Sequence, residues 1–125
     1  MKYEVKFLKK VLVVDDEPYM RSLIADYLNE IGSFQTMEAG DGTKALEMFK
    51  KEKPDLIFLD LLLPEMKGYE VMQKIEEEDQ DVDVIIITAV GQKQIMKDCI
   101  EAGADDYMLK PFNKEDLELK LKDYI

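Results

Sequence analysis

A chain of 125 residues, 46% hydrophobic and with a formal net charge of -11, suits one compact domain, which we expect over residues 10–125 after a short extension of residues 1–9. This charge opposes non-specific binding to nucleic acid or to an anionic membrane surface. The longest apolar run is far shorter than the roughly 20 residues of a membrane span, and residues 1–9 lack the apolar region of a signal peptide, so we expect a cytoplasmic protein. The single cysteine, Cys99, excludes an internal disulfide, and the lack of histidine disfavours a structural zinc site.

Short apolar runs alternate along the chain with longer stretches of helical periodicity. The apolar runs predict strands near residues 10–14, 33–38, 56–63, 82–87 and 107–109. Apolar residues at helical spacing predict helices that include residues 18–31, 45–49, 71–78, 95–100 and 117–124. Pro18 suits the first turn of a helix, and Asp41 and Asn113 suit N-caps. The chain therefore reads as five consecutive strand–helix units.

Five such units predict a parallel sheet with helices on both faces, because each parallel connection needs a crossover and crossovers are right-handed. We predict an α/β fold with five parallel strands, doubly wound with five helices, in which the first and third strands become neighbours if the order is 2-1-3-4-5. Ligands of such sheets lie outside the carboxyl ends of the strands, where the strand order reverses. The residues that follow the strands are therefore the candidate functional residues.

Polar side chains stand at four of these strand ends. Asp15 and Asp16 follow the first strand, Asp60 interrupts the apolar run of the third, Thr88 follows the fourth and Lys110 follows the fifth. Asp60 alone would be interpreted as a strand-end residue that faces solvent or caps a turn. Three neighbouring carboxylates, however, repel one another, so at least one should have a raised pKa unless a cation such as Mg²⁺ lies beside them. Lysine and threonine bind phosphoryl oxygens, so the set predicts a site for a divalent cation and a phosphoryl group.

These motifs together resemble the receiver domain of two-component response regulators. The resemblance rests on Asp15-Asp16 after an apolar strand, Asp60 followed by Pro64 and Gly68, Thr88-Ala89, Lys110-Pro111, and Tyr107 three residues before Lys110. It spans residues 10–125 and implies a flavodoxin-like receiver fold. It also implies a phosphorylation-activated signalling switch, whose only catalysis is its own phosphorylation and slow autodephosphorylation.

The resemblance implies a role for each acidic residue. Asp60 would accept a phosphoryl group from the phosphohistidine of a partner histidine kinase or phosphotransfer protein. Asp16, Asp60 and the backbone carbonyl of Leu62 would bind Mg²⁺ directly, Asp15 would bind it through a water, and Mn²⁺ would be able to replace it. Because the chain contains no histidine, the phosphodonor must be another molecule.

The remaining residues of the resemblance would bind the phosphoryl group and transmit its presence. Lys110, Thr88 and the backbone of Ala89 would bind phosphoryl oxygens. Thr88 and Tyr107 would form the switch, with the tyrosine ring moving inward when the threonine turns toward the phosphoryl group. The peptide bond between Lys110 and Pro111 would be cis.

Two apolar positions are expected to tune dephosphorylation. Leu62 and Val90 lie two residues beyond Asp60 and Thr88, beside the expected path of the hydrolytic water. Because apolar side chains position water poorly, we expect slow autodephosphorylation.

The resemblance also implies a surface for output. The fourth helix, fifth strand and fifth helix, about residues 92–125, would contact a protein target, and Leu119 falls outside the apolar stripe of the last helix and should be exposed. A stand-alone chemotaxis-like regulator or a phosphorelay intermediate, either as a monomer or as a phosphorylation-dependent dimer, would act through such contacts. Nucleic acid is not an expected partner of this chain alone.

Four other interpretations of the sequence compete with an active, stand-alone receiver domain. A haloacid-dehalogenase-type phosphatase would need an acid/base aspartate at position 62, where this chain has leucine. A flavin-binding module would need a phosphate-cradling loop after the first strand, where Asp15-Asp16-Glu17 would repel phosphate. A receiver-like docking module that is not phosphorylated would not need the full set of site residues. A receiver fragment of a longer DNA-binding response regulator would have the same sequence features.

Overall fold

The computed structural model describes residues 9–79 and 81–124, in which five strands alternate with five helices. The elements are β1 (Lys9–Val14), α1 (Pro18–Ile31), β2 (Phe34–Ala39), α2 (Gly42–Glu52), β3 (Leu56–Asp60), α3 (Gly68–Glu78), β4 (Asp83–Thr88), α4 (Lys93–Glu101), β5 (Asp106–Leu109) and α5 (Lys114–Leu121). The expected extension of residues 1–9 lies outside the described residues except for Lys9, which begins β1. Among the described residues, none of the helices is both long and apolar enough to cross a membrane.

The five strands form one parallel sheet in the order β2-β1-β3-β4-β5, which confirms the predicted topology. Val14 at the end of β1 pairs with Ala39 on β2 and with Leu59 on β3. Thr88 at the end of β4 pairs with Leu109 on β5. The carboxyl ends of the strands therefore meet along one edge of the sheet, where strand order reverses between β1 and β3.

Two apolar layers cover the two faces of the sheet. Leu12 and Val14 face one layer with residues of α2, α3 and α4, whereas Val11 and Val13 face the other with residues of α1 and α5. Successive side chains of a strand point to opposite faces, so a strand buried on both faces needs an unbroken apolar run. All five residues of β3 are buried, as expected for a central strand of such a sheet.

The apolar run that predicted the third strand is only partly a strand. The prediction that it extends to Leu63 is wrong, because β3 ends at Asp60. The backbone N–H of Leu62 donates to Asp60 Oδ1 at 3.1 Å and turns the chain away from the sheet. Leu61 and Leu63 remain buried in the following loop, whereas Leu62 is 61% exposed.

Other boundaries differ from the prediction by small amounts. β2 and β4 both begin and end one residue later than predicted, and α5 ends at Leu121, so Tyr124 contacts the core from outside the helix. The helical spacing that predicted α4 places both Cys99 and Ile100 on its apolar side, but only Cys99 of the two is buried, and Ile100 is 42% exposed. Both predicted N-caps are confirmed, since Asp41 accepts from a backbone N–H at 2.7 Å and Asn113 accepts from another at 2.8 Å.

Candidate functional site

Three carboxylates converge at the carboxyl edge of the sheet. Asp15 and Asp16 follow β1, Asp60 ends the neighbouring strand β3, and one oxygen of each lies within 4.8 Å of the others. Asp15 is 1% exposed and Asp60 is 5% exposed, whereas Asp16 lies on the surface. The structure thus brings together the three carboxylates that the sequence analysis singled out.

Lys110 supplies a positive charge to the two buried carboxylates. Its Nζ lies 2.7 Å from Asp15 Oδ2 and 3.2 Å from Asp60 Oδ2. Its backbone N–H donates to the carbonyl of Thr88 at 2.8 Å, and its peptide bond to Pro111 is cis. Burying a charge is costly without a partner, and here a single ammonium is shared by two carboxylates.

The other oxygens of the two buried carboxylates are bound by the backbone. Asp15 Oδ1 accepts from the N–H of Glu17 at 2.9 Å, and Asp60 Oδ1 accepts from the N–H of Leu62. Gly68, the first residue of α3, packs directly on the end of β3. A Cβ at this glycine would collide with the backbone oxygen of Asp60, so only glycine allows this approach. These contacts hold Asp60 at a fixed point of the edge.

The ionisation of Asp60 is shifted, as expected, but for a different main reason. Burial raises the pKa of the Asp60 carboxyl, the N–H of Leu62 and the charge of Lys110 lower it, and the charge of Asp15 raises it by less than burial does. Desolvation, and not repulsion between carboxylates, is therefore the largest cause. Burial by itself would lower the pKa of Lys110, but its hydrogen bond to Asp15 and the charges of Asp60 and Asp15 raise it overall, so the lysine remains charged.

The donor chemistry of the cluster fits a divalent metal ion. Three carboxylates of Asp15, Asp16 and Asp60 offer hard oxygen ligands close together, which is the set that Mg²⁺ and Mn²⁺ prefer. One ammonium cannot offset all three charges, so a divalent cation would relieve the remaining repulsion. The part expected for the backbone carbonyl of Leu62 stays a prediction.

The two residues of the expected switch occupy different environments. Thr88, the last residue of β4, is fully buried, and its hydroxyl accepts from the backbone N–H of Val90 at 3.0 Å. Tyr107 on β5 is 37% exposed, and Lys120 Nζ lies 6.0 Å from the centre of its ring. Ala89, expected to bind phosphoryl oxygens through its backbone, is exposed beside the site.

The positions expected to tune dephosphorylation line one groove. Leu62 and Val90 border it together with Asp16, and its volume is about 770 Å³. A second, smaller groove of about 460 Å³ lies on the surface expected to contact an output partner. Leu119 lines this second groove and is 63% exposed, as predicted from its spacing.

Arg21 contacts the acidic loop but was missed by the sequence analysis. Its Nη1 donates to the backbone carbonyl of Asp15 at 2.7 Å. The signal was its position near the N-terminal end of α1, where the helix dipole disfavours a cation. Because a cation is unfavourable at this position, an arginine there indicates that its side chain binds a specific acceptor.

Comparisons with known proteins identify the family and the fold of this chain. The family model described as the response regulator receiver domain matches residues 11–122. A chemotaxis protein CheY from Halobacterium salinarum is 41% identical over 85% of this chain and 88% of its own length. A probable transcriptional regulator ycf27 from Guillardia theta is 41% identical over 91% of this chain. The aligned region covers only 44% of the length of that relative. The structure of a CheX-CheY-BeF3-Mg+2 complex from Borrelia burgdorferi has a TM-score of 0.87 and 27% identity over 98% of this chain and 94% of that one.

Proposed function

The chain belongs to the response regulator receiver domain family, and from this premise we propose that it is a phosphorylation-activated switch of two-component signalling with Asp60 as the phosphoacceptor. The observation that carries the proposal is the position of the Asp60 carboxylate. It is buried at the switch point of the sheet, bound by Lys110 and within 4.8 Å of the carboxylates of Asp15 and Asp16. A purely structural aspartate has no need of this arrangement.

In the proposed reaction, one oxygen of Asp60 attacks the phosphorus of a partner's phosphohistidine. A P–O bond forms, the P–N bond breaks, and its electron pair stays on the imidazole nitrogen, so the carboxylate becomes an acyl phosphate. The ammonium of Lys110 offsets charge on the transferred group. Asp16, Asp60 and the Leu62 carbonyl would hold a divalent cation, for which we propose Mg²⁺, and Asp15 would act through a water. When bound, the cation would offset negative charge on the phosphoryl oxygens.

Phosphorylation would bias the domain between two states. Thr88 would release the N–H of Val90 and donate its hydroxyl hydrogen to a phosphoryl oxygen, beside the backbone N–H of Ala89. The ring of Tyr107 would then move inward from its exposed position. The surface formed by α4, β5 and α5 would change shape, and a protein target would bind the altered surface.

Two kinds of output are supported by the relatives. Alignment with nearly the whole length of a chemotaxis protein supports an output by protein contact. The chain spans about half the length of the curated transcriptional regulators that it matches, which supports a receiver within a DNA-binding regulator. In either case we propose that a histidine kinase or phosphotransfer protein is the phosphodonor, since the chain lacks histidine.

Intact-protein mass spectrometry with acetyl phosphate tests the proposal. We expect the wild type to gain the mass of one phosphoryl group only when Mg²⁺ is present, and D60N to gain none. D105N is the matched control, because Asp105 is an aspartate at the opposite edge of the sheet, and it should be phosphorylated like the wild type. If D60N gained the phosphoryl group at the wild-type rate, or if wild type remained unmodified with acetyl phosphate and with histidine kinases, the proposal would be wrong.

We further propose that the acyl phosphate is hydrolysed slowly, because apolar Leu62 and Val90 line the groove beside it. An acidic or amide side chain would hold a water in that groove, so L62N and V90E should shorten the phosphoryl lifetime, each by about tenfold. Decay of the phosphorylated mass with time measures this. A wild-type half-life of only seconds would contradict the expectation.

A further inference from the structure

Arg21 joins the loop that carries the acidic pair to the neighbouring edge strand. Its Nη1 donates to the backbone carbonyl of Asp15 at 2.7 Å, and its Nε donates to Glu38 Oε1 on β2 at 3.1 Å. The arginine side chain is 19% exposed and that of Glu38 is 40% exposed. The guanidinium is a rigid fork with several donors, so one side chain on α1 holds both the loop and the strand.

This contact reaches Asp16 through the geometry of the peptide unit. The atoms from Cα of Asp15 to Cα of Asp16 lie in one plane, so fixing the Asp15 carbonyl oxygen also fixes the orientation of the plane and the origin of the Asp16 side chain. The other polar groups of Asp15 are held by the Ala39 carbonyl, by the N–H of Glu17 and by Lys110. The exposed Asp16 therefore takes its position from the backbone before it.

The guanidinium occupies space left free by a glycine. A Cβ at Gly40 would lie 3.1 Å from Nη1 of Arg21, which is tighter than ordinary van der Waals contact. The loop after β2 thus leaves room for the arginine at the point where it meets the Asp15 carbonyl.

We propose that Arg21 is a positioning residue for the divalent cation, which holds the Asp15–Asp16 peptide so that the Asp16 carboxylate meets the carboxylates of Asp15 and Asp60. The inference rests on the proposed function, because it concerns the cation of that site. Arg21 touches neither the phosphoryl group nor the cation in this role. It acts on the site only through the backbone and together with Glu38.

A purely electrostatic role of Arg21 would have the opposite consequences. A positive charge near the acidic cluster repels a divalent cation, so on that basis R21Q should bind the cation more tightly and R21K should bind it like the wild type. A positioning role requires the two-point contact of the guanidinium. Lysine keeps the charge but offers a single ammonium, so both variants should then bind more weakly.

Titration with Mn²⁺, followed by the electron paramagnetic resonance signal of the free ion, separates these cases. We expect R21K and R21Q each to weaken Mn²⁺ binding about tenfold or more, as removal of an outer-shell partner commonly does. Mg²⁺ should displace Mn²⁺ in all variants. The matched control is K114M, which removes another ion pair of α1, between Lys114 and Glu30 at 3.5 Å, and should leave the affinity unchanged.

The pair with Glu38 gives a second test, in which the single variant E38Q keeps Arg21 and can be used should the Arg21 variants fold poorly. A Mn²⁺ affinity of E38Q equal to that of the wild type would contradict the positioning role. E38Q removes the charge that holds the guanidinium, so it should weaken Mn²⁺ binding by a smaller factor. In the R21Q background, E38Q should have almost no further effect, because both substitutions break one contact. Equal effects of E38Q in the two backgrounds would contradict the positioning role.

The dependence of phosphorylation on Mg²⁺ gives an independent readout. With acetyl phosphate, R21K should need about tenfold more Mg²⁺ for half its maximal rate but should reach the wild-type rate at saturation, which a general loss of folding would not produce. If R21K binds Mn²⁺ like the wild type, the inference is wrong and the proposed function stands. If the wild type binds Mn²⁺ but takes up no phosphoryl group, the proposed function fails, and the Mn²⁺ titrations still decide the role of Arg21. A wild type that binds neither ion would overturn both.

Discussion

Both edges of the sheet carry aspartates, but among the described residues only those at the carboxyl edge share one lysine ammonium. At the amino edge, Asp55 accepts from the N–H of Lys10 at 2.8 Å, and Asp105 accepts from the N–H of Val84 at 2.7 Å. Both of these aspartates are exposed, and each accepts from a backbone N–H near the beginning of a different strand, β1 for Asp55 and β4 for Asp105.

At the carboxyl edge, Asp15 and Asp60 are buried and are bound to one ammonium, with Asp16 beside them. An exposed aspartate that accepts from a backbone N–H stabilises the fold, because its charge also remains in contact with water. Aspartates that compete for one cation are costly for the fold and are ready to bind another cation. The contrast therefore separates structural aspartates from those of the functional site.

Removal of Lys110 should give the largest change in stability. K110M leaves two buried carboxylates without their ammonium, so we expect the free energy of unfolding to fall by about 2–3 kcal/mol at neutral pH. K120M, which breaks the more exposed pair of Lys120 with Asp106, should cost at most about 1 kcal/mol. Urea denaturation in EDTA measures both, and added Mg²⁺ should restore part of the loss in K110M. Equal losses in the two variants would remove the distinction between the edges.

Neutralising one aspartate at each edge should change stability in opposite directions. Burial raises the pKa of Asp60, and a carboxyl group with a raised pKa favours folding only while it is protonated, a contribution that is lost as the pH rises through its folded-state pKa. D60N should therefore raise the free energy of unfolding of the metal-free protein at pH 7, with the gain vanishing in acid.

At the amino edge, D105A removes the acceptor of the Val84 N–H and should lower the free energy of unfolding by about 1 kcal/mol. Urea denaturation of both variants across a range of pH makes the comparison. A loss of stability in D60N at pH 7 would show that its bond to Lys110 outweighs the cost of burial.

The smallest expected effect concerns Tyr124 at the amino edge. Burial, followed by the charge of Asp106 and a hydrogen bond to it at 3.3 Å, raises the pKa of the Tyr124 phenol to about 12. A phenol with a raised pKa contributes stability below its ordinary pKa of 10.0 and loses that contribution as the pH rises toward 12. A titration followed by phenolate absorbance should therefore lose a component near pH 12 in Y124F. If the missing component instead titrated near pH 10, neither burial nor Asp106 would raise the pKa of the Tyr124 phenol.

Most of the fold could be predicted because local patterns repeat along the chain. Apolar runs and helical spacing identified every strand and helix, and the crossover rule indicated a doubly wound parallel sheet. The strand order 2-1-3-4-5, which belongs to the receiver fold that the motifs resemble, is confirmed by the structure. The ends of the strands were less predictable where a single apolar run covers both a strand and the loop that follows it. The run from Leu56 to Leu63 is apolar except for Asp60, yet the strand ends at Asp60, in the middle of the run, where the Leu62 N–H donates to the Asp60 side chain.

The amino-acid sequence by itself determined which polar residues stand at strand ends, and hence that Asp15, Asp16, Asp60 and Lys110 would meet, since parallel strands bring their carboxyl ends to one edge. Only the tertiary structure decided how their charges are shared. Lys110 lies closer to Asp15 than to Asp60, and Arg21 contacts the backbone carbonyl of Asp15. Both facts depend on distances between residues that are far apart in the sequence. Periodicity identifies faces and edges, whereas hydrogen bonds and desolvation depend on distances within those edges that no local pattern contains.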